Sequence, residues 1–477
     1  LYTTFKDIGL NVVFDIPDRI KDGYGINLKI VEEAKEDGID VIITCDNGIA
    51  AFDVIQRARD LGICVIVTDH HDIQNKIDED GNLILIVPNA NAIINHKQED
   101  CEYQFKKLCG AGICFKLCSE LYKIYGMEDR IENLYQFAAI ATICDVMDLE
   151  DENRFIVKEG LRLINSTNNI GLNAIINANS LSKGSISSYE IGFVIGPCLN
   201  ALGRLESATK GLDLLLHNDA EKAYDLALEI KDLNDKRKSM TLEGLNECIN
   251  IIEENSYDKS KVIVVYNENI HESIAGIIAG RLKEKYYRPT IVLTKGEGVC
   301  KGSARSIEGI NIFDLLCDNN ELLTSFGGHP MAAGLSLNEE NIEILRENLN
   351  ASEKISEEDF INTIYVDLFY PIQNINYKFV KDLSLLEPFG KGNPKPILGD
   401  KKVRVCSLKR IGKSQNYISK DFDENLESKH GSENIKKLYA GKYMMDSKIF
   451  MDILYEVKID NYNFNETIKY FLIKYRF

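Results

Sequence analysis

Two apolar runs of the chain end abruptly in polar residues that carry chemistry. Val65-Ile66-Val67-Thr68 leads into Asp69-His70-His71-Asp72, and Val41-Ile42-Ile43-Thr44 leads into Cys45-Asp46-Asn47-Gly48. A short unbroken apolar run is the pattern of a strand buried on both faces, as in a parallel sheet. Ala51 to Leu61, between the two runs, has helical spacing. The three segments make a βαβ unit with both strand ends on one sheet edge, so Asp46 and the Asp69-His70-His71 triplet face one crevice. Upstream, Leu1 to Gly9 reads as the tail of a helix, Leu10 to Ile16 as a strand stopped by Pro17, and Asn27 to Asp37 as a helix. Downstream, Leu83 to Val87 reads as a strand, Gly110 to Tyr125 as a helix, and Ile131 to Ile143 as a second helix that delivers Asp145. This alternation predicts an α/β, doubly wound parallel sheet.

Beyond it, Leu161 to Leu216 is mostly helical and contains Gly196 to Arg204, while Asp219 to Glu254 is a highly charged helical stretch, either one long helix or two packed ones. A second, smaller α/β domain begins at Lys261 to Tyr266, with a helix from Ala275 to Tyr287 and a strand from Thr290 to Thr294. Its glycines beside Ser303, Arg305 and His329 suit a pocket where backbone amides meet an anion. Alternating apolar residues over Lys401 to Ile411, Ile449 to Ile459 and Thr467 to Tyr475 predict a C-terminal β-barrel, with Asp421 to Glu433 as a polar loop. The expected domains are 1–165, 166–256, 257–355 and 356–477.

Composition narrows the function classes. Lys plus Arg (56) against Asp plus Glu (74) gives a net charge of −18, which argues against a protein that grips nucleic acid by bulk charge alone. Any polyanion is bound locally. Twelve scattered cysteines in a chain of 477 residues fit a reducing compartment. With no membrane-length apolar run and no targeting leader, a cytoplasmic monomer is expected.

With Asp46-Asn47-Gly48, Asp69-His70-His71 and Asp145 in this order, the chain resembles the DHH phosphoesterase superfamily. Further motifs extend the likeness over nearly the whole chain. They are Ile16-Pro17-Asp18-Arg19 with Gly23-Tyr24-Gly25, Asn200-Ala201-Leu202-Gly203-Arg204, Gly302-Ser303-Ala304-Arg305, Phe326-Gly327-Gly328-His329 and Glu387-Pro388-Phe389-Gly390-Lys391-Gly392-Asn393-Pro394. Together they make it similar to the RecJ family of single-strand-specific 5′→3′ DNA exonucleases. The resemblance implies a DHH domain, a connecting helix, a DHH-associated domain closing over the cleft and an OB-fold that takes up single-stranded DNA. Arg19, Asn200, Arg204, Ser303 and Arg305 are implied as substrate contacts, Arg19 and the last three as a pocket for a terminal 5′-phosphate. Gly327, Gly328 and His329 are implied to line the same cleft. Arginine forks fit phosphate bidentately, and a phosphomonoester offers more charge than an internal diester. Stacking by Tyr417 and the basic stretch Lys409 to Lys413 are expected strand contacts.

The chemistry agrees with the resemblance. Phosphodiester hydrolysis needs charge on the nonbridging oxygens offset and a water activated, which two divalent ions about 3.5 to 4 Å apart can do. Carboxylates with an imidazole suit Mn2+ and, less well, Mg2+. Asp46 is assigned a bridging role, with His70 and Asp145 completing one ion's shell. Asp69 orients a ligand from behind, and His71 touches the scissile phosphate.

Some features depart from the family pattern, which begins with a strand ending in Asp-x-Asp-x-Asp-Gly, ahead of the helix whose tail opens this chain. Leu1 is not Met, so a truncated sequence is expected in preference to a noncatalytic protein, and the 477 residues alone are expected to be inactive or nearly so. His96 stands where the family has Pro, and Cys101 to Phe105 lacks the usual prolines, which puts the shape of that loop in question. Cys101, Cys109, Cys114 and Cys118 form no CxxC pair, so zinc is not expected. The competing functions are a DHH phosphodiesterase for short oligonucleotides or cyclic dinucleotides, and a noncatalytic DHH-fold DNA-binding protein. The partners expected are single-stranded DNA with a 5′ end, and then a helicase and a single-strand-binding protein.

Overall fold

The run that ends at Asp69 is the centre of a parallel sheet. In the computed structural model, which describes residues 1–17, 25–77, 83–296, 298–411, 417–422, 449–462 and 465–476, the chain forms two units. The first comprises Leu1–Asp145 and Glu159–Asn362, the second Val146–Lys158 and Thr363–Phe477. The first unit begins α1 (Tyr2–Asp7), α2 (Leu28–Glu36), β1 (Val41–Ile43), α3 (Phe52–Asp60), β2 (Cys64–Thr68), β3 (Gln74–Ile77), β4 (Leu83–Ile86), β5 (Ala92–Ile94), α4 (Gly110–Ile124) and α5 (Ile131–Cys144). β2 lies between β1 and β5, parallel to both, with Val65 opposite Ile42 and Val67 opposite Ile93. On one face Val65 and Val67 pack with Val31 of α2 and Ile55 and Ala58 of α3, each large side chain contributing about 1.5–3 kcal/mol on burial. On the other, the Thr68 hydroxyl meets Cys114 of α4 at 3.2 Å. Helices on both faces make this a doubly wound sheet.

Three expectations change here. Leu10 to Ile16 is not a strand: it has no ladder partner among the described residues, and Leu10 and Val13 are 52% and 68% exposed. β4 covers most of Leu83 to Val87 but pairs antiparallel with β3, outside the parallel sheet. The third parallel strand is β5, only three residues long, which its pairing with β2 defines and no apolar run announces.

α1 is tied to α4 by a buried tyrosine. The Tyr122 hydroxyl donates to Asp7 at 2.7 Å, and Arg130 pairs with the other carboxylate oxygen at 2.6 Å. Burial pushes the Asp7 carboxyl up, but Arg130 and Tyr122 outweigh it and hold it below its ordinary value; burial also pushes the Tyr122 hydroxyl up to about 12. A carboxyl held low contributes stability that is present above its unfolded pKa, roughly 3.9, and is lost as pH falls through the folded value. Asp7→Asn is therefore expected to flatten the acid limb of stability below about pH 4 and to leave the slope near neutrality unchanged. Urea midpoints measured from acid to neutral pH check this, and acid limbs of equal slope in the two proteins would remove the assignment.

α6 (Asp151–Ile164) begins in the second unit and ends in the first. It is followed by α7 (Ile170–Ala178) and by α8 (Ser188–Glu190), which continues through a π-helical turn at Ile191–Ile195 into α9 (Gly196–Leu205). Then come α10 (Thr209–Leu216) and α11 (Ala220–Glu254). α11 is one continuous helix of 35 residues, about 52 Å long at 1.5 Å per residue. Asp219 caps it, accepting from the amides of Glu221 and Lys222. Ala223, Ala227 and Ile230 are buried in a shared core with Ile175 of α7 and Cys198 of α9.

The second α/β layer contains β6 (Ile263–Tyr266), α12 (Glu272–Tyr286), β7 (Thr290–Lys295), β8 (Cys300–Arg305), α13 (Ile312–Cys317), β9 (Leu323–His329), β10 (Ala332–Leu337) and α14 (Ile342–Ala351). The strand order is β6-β7-β8-β10-β9. Phe326 to His329, expected to line a pocket, lies in β9 and pairs with β10, a strand whose small residues Ala332-Ala333-Gly334 gave no strand signal.

In the second unit, β11 (Leu368–Phe369), α15 (Tyr377–Leu383), β12 (Leu398–Ile411), β13 (Tyr417–Phe422), β14 (Ile449–Tyr462) and β15 (Asn465–Arg476) build a mostly antiparallel sheet. The order is β11-β12-β14-β15, with β13 on β12. The Glu387 to Pro394 stretch clamps the segment that follows Asp145. Arg154 donates to the carbonyls of Leu385, Leu386 and Glu387, the Leu149 amide to Lys391, and a Cβ on Gly390 would stand 2.6 Å from Leu149. Asp421 and Phe422 belong to β13, and the rest of the expected loop lies outside the described residues. No helix among the described residues is long and apolar enough to cross a membrane.

Candidate active site

Asp46 and the Asp69 triplet leave adjacent strands of one sheet at their carboxyl ends, and α5 brings in Asp145. The β1 ladder continues past its last residue, with the Thr44 and Asp46 amides donating to Ile66 and Thr68, both at 3.0 Å. Asp46 itself has φ +65, a left-handed conformation that Asp tolerates. The turn beyond it needs Gly48, at φ +111, where a Cβ would stand 2.9 Å from the Thr44 hydroxyl. Asn47 locks the turn, accepting from the Ile26 amide and donating to the Cys45 carbonyl.

Two carboxylates converge on one imidazole nitrogen. His70 Nε2 is 3.0 Å from Asp46 Oδ1 and 3.5 Å from Asp145 Oδ2, and the His70 side chain is only 11% exposed. Ligand atoms of Asp46, His70 and His71 lie within 4.8 Å of one another. Two anionic oxygens and imidazole nitrogens on one point fit a hard or borderline divalent cation. Asp69, fully buried, is spent otherwise: it accepts from the amides of Ile49, His70 and His71 and from His71 Nδ1 at 2.7 Å. Burial would raise its carboxyl, but the His71 ring and the amides outweigh this and hold it low, while Asp69 in turn holds the His71 imidazole above its ordinary value. With Nδ1 engaged, His71 presents Nε2.

Sequence reasoning missed two supports. Gly110, read only as a helix opener, is pressed against Asp46: a Cβ there would stand 2.4 Å from Oδ1 and 2.7 Å from Cα. Gly110→Ala is expected to destabilise the fold by about 1–3 kcal/mol through overpacking and to weaken Mn2+ uptake with it. Urea midpoints with and without Mn2+ measure both, and an unaltered midpoint would show that Asp46 has room to move. Asn95 is the second support, buried, donating to the His71 carbonyl at 2.9 Å. The neighbouring His96 keeps this loop in shape by bonding the Lys106 carbonyl at 2.7 Å, in place of the family's proline.

A second constellation, also in the first unit, is a cleft of about 600 Å3 lined by Arg204, Ser273, Gly276, Ser303, Arg305 and Gly327 among others. Ser303 and Arg305 share one face of β8, with Ala304 buried on the other. Arg305 donates to the Ser303 hydroxyl at 3.0 Å, and Arg204 to the Ser273 carbonyl at the start of α12. Burial pulls both guanidiniums below their ordinary values, and Arg204 adds repulsion on Arg305. Gly276 makes the space, since a Cβ there would stand 2.8 Å from Arg305 Nη2 and 2.9 Å from the Ser303 hydroxyl. Among the described residues these two half-buried cations have no carboxylate partner, an arrangement that suits an anion.

The remaining expected residues are more scattered. Asn200 is exposed one turn before Arg204 and is not among the lining residues. Gly328, at φ +153, packs on the β10 backbone, where a Cβ would meet the Ala332 carbonyl at 2.4 Å. His329 is exposed outside the lining set, and its charge reaches Asp72, whose carboxyl is held low first by the Lys97 hydrogen bond. His271 caps α12 through its ring nitrogen. Arg19, Gly23, Tyr24 and residues 412–416 lie outside the described residues, as do the side chains of Lys409 and Tyr417.

Comparison with known proteins adds the family. The DHH family N-terminal domain matches residues 1–142, the DHHA1 domain 259–354 and the RecJ OB domain 366–474. The single-stranded-DNA-specific exonuclease RecJ of Bacillus subtilis is 38% identical over 419 residues, covering 87% of this chain and 51% of that protein. The protein of the same name from Dickeya dadantii is 31% identical over 428 residues, 85% of this chain and 72% of the relative. The chain belongs to the RecJ family. A crystal structure of exonuclease RecJ bound to manganese matches with TM-score 0.61 at 30% identity, covering 73% of this chain and 84% of that one. The RecJ-type architecture is thus a DHH domain, a DHHA1 domain and a C-terminal OB-fold. The chain spans about half the length of the Bacillus subtilis RecJ.

Proposed function

We propose that the protein is a metal-dependent single-stranded-DNA 5′→3′ exonuclease, to which residues 1–477 supply one ion's ligands, a seat for the 5′-phosphate and a strand-binding barrel. The observation that carries this is the convergence of Asp46 and Asp145 on His70 Nε2. Asp46, His70 and Asp145 would hold Mn2+ or, less well, Mg2+, as hard ligands with an imidazole prefer, and the manganese-bound relative supports the choice. When bound, the ion offsets charge on the scissile phosphate and lowers the pKa of the attacking water.

The other roles belong to the chain's own side chains. His71, kept protonated to higher pH by Asp69, donates from Nε2 to a nonbridging phosphate oxygen. Arg204, Ser303 and Arg305 receive the terminal 5′-phosphate, whose second negative charge an internal diester lacks, and polarity follows from that difference. In the barrel, the exposed rings of Phe369 and Phe471, each beneath a lysine (Lys401 and Lys395), offer stacking and charge to a single strand. A helicase that frees the 5′ strand and a single-strand-binding protein suit this activity, as do a cytoplasmic location and a monomeric state.

The test has two arms. Titration of the purified chain with Mn2+ is expected to reveal one tight site, and anisotropy to reveal tighter binding of 5′-phosphorylated than of 5′-hydroxyl single strands. Absence of both Mn2+ uptake and end preference would overturn the assignment, and brisk release of 5′ nucleotides would overturn the single-ion reading while keeping the exonuclease.

A further inference from the structure

We propose that Tyr189 and Phe193 form a stacking platform for the bases of a single strand whose 5′ end lies in the Arg204–Arg305 cleft. This rests on the reading of that cleft as the seat of the 5′-phosphate. Tyr189 belongs to α8 and Phe193 to the π-helical turn that follows, one turn of helix apart. Their rings stack on each other with centroids 4.8 Å apart and planes at 29°, and the two residues are 62% and 67% exposed. Apolar side chains of this size ordinarily leave water. Here the core behind them is filled by Ile191 and Ile195 instead, both fully buried.

The rest of the helix points to the ligand. From α8 to the end of α9 the chain is one continuous rod, on which Tyr189, Phe193, Pro197, Asn200 and Arg204 recur at spacings of four and three, the spacing of one face. None of the five is buried, whereas Cys198, Ala201 and Leu202 join Ile191 and Ile195 in the core. Arg204, at one end of this face, lines the cleft. The middle of the rod is pressed against the end of α5 that bears Asp145. A Cβ on Gly196 would stand 2.3 Å from Cys144 Sγ, and one on Gly192 3.5 Å from Ile143 Cγ2. One helix therefore carries, in order, a guanidinium for the terminal phosphate, the packing contact beside Asp145, and two rings. Arg204 and Phe193 are about 16 Å apart along it at 1.5 Å per residue, more than one nucleotide, so the rings meet the strand beyond its first base.

The chemistry of the face selects the ligand class. An apolar protein partner needs a continuous apolar face, and this one turns polar at Asn200 and charged at Arg204. Rings in line with an arginine suit a polymer of anions and flat heterocycles, whose unpaired bases offer π faces whatever their sequence. A duplex keeps those faces inside its own stack, so the platform favours single strands. The π-helical turn that includes Phe193 is a further sign, since such turns within α-helices are frequent at functional sites.

The experiment is anisotropy of the full chain in EDTA with 5′-phosphorylated single strands that are intact or lack one base, the gap being moved stepwise from the 5′ end. Phe193→Ala and Tyr189→Ala, on exposed rings whose loss leaves folding intact, are each expected to weaken the intact strand about 10-fold, within the range for loss of one base–aromatic stack. The salt slope should not change, because no phosphate contact is lost. Phe193→Tyr should bind as wild type does. In wild type, one gap beyond the first base should cost the same factor, and in Phe193→Ala that gap should cost nothing further. The platform is overturned if neither alanine variant weakens the intact strand, or if ring and base losses add at every position, in which case the rings serve the helix and not the bases. Wild type that binds a 5′-hydroxyl strand as tightly as the phosphorylated one removes the cleft reading and the placement of the 5′ end, while the coupling between ring and base decides the stacking by itself.

Discussion

Asp46→Asn is expected to lower Mn2+ affinity at least about 100-fold, since loss of residues that merely support a metal ligand already costs 10–100-fold. Asn keeps the shape of Asp, tolerates the φ of +65 found here and leaves the amide bond to the Thr68 carbonyl in place. What it removes is the negative oxygen 3.0 Å from His70 Nε2. The fold should therefore be undisturbed, and the urea midpoint in EDTA should match wild type. The midpoint in Mn2+ should lose the increment that a bound ion adds by mass action. Isothermal titration and the two midpoints together decide the point: equal Mn2+ affinity in wild type and variant would move the ion away from this cluster, whatever the activity.

Arg305→Ala is expected to erase the preference for a 5′-phosphorylated end, a loss of about 10- to 100-fold in affinity, the range for charge-assisted hydrogen bonds to phosphate. Binding of a 5′-hydroxyl strand should change little. Stability should move the other way. Arg305 is pulled down by burial and by Arg204, with no acid among the described residues to compensate, so its removal relieves repulsion and the thermal midpoint should hold or rise. Gain of stability with loss of ligand distinguishes a binding residue from a structural one. A variant that loses stability and keeps the end preference would assign Arg305 to the β8–α12 packing instead.

Much of the site was legible before the fold was known, for a local reason. Val65 to Thr68 and Val41 to Thr44 are short apolar runs that end in ionisable groups, and a parallel strand buried on both faces places such groups at its carboxyl end. Asp46, His70 and Asp145 converge accordingly, and α11 has the cap, spacing and length that its sequence pattern carries. Where the pattern misled, the missing information was a partner. Leu10 to Ile16 has the composition of a strand and no ladder to join, whereas Ala92–Ile94 has only three residues and becomes a strand through β2.

By itself, the sequence determined the α/β order, the buried strands, the helical character of residues 219–254 and the identity of the groups that meet at His70, because periodicity, capping and ligand chemistry are properties of neighbouring residues. Only the tertiary structure decided that α11 is one unbroken helix, that Gly110 must lack a side chain beside Asp46, that Gly276 must make room for Arg305, and that Asn95 holds the His71 backbone. These are contacts between segments far apart in the chain, set by how helices and strands pack to native density, and no local pattern records them.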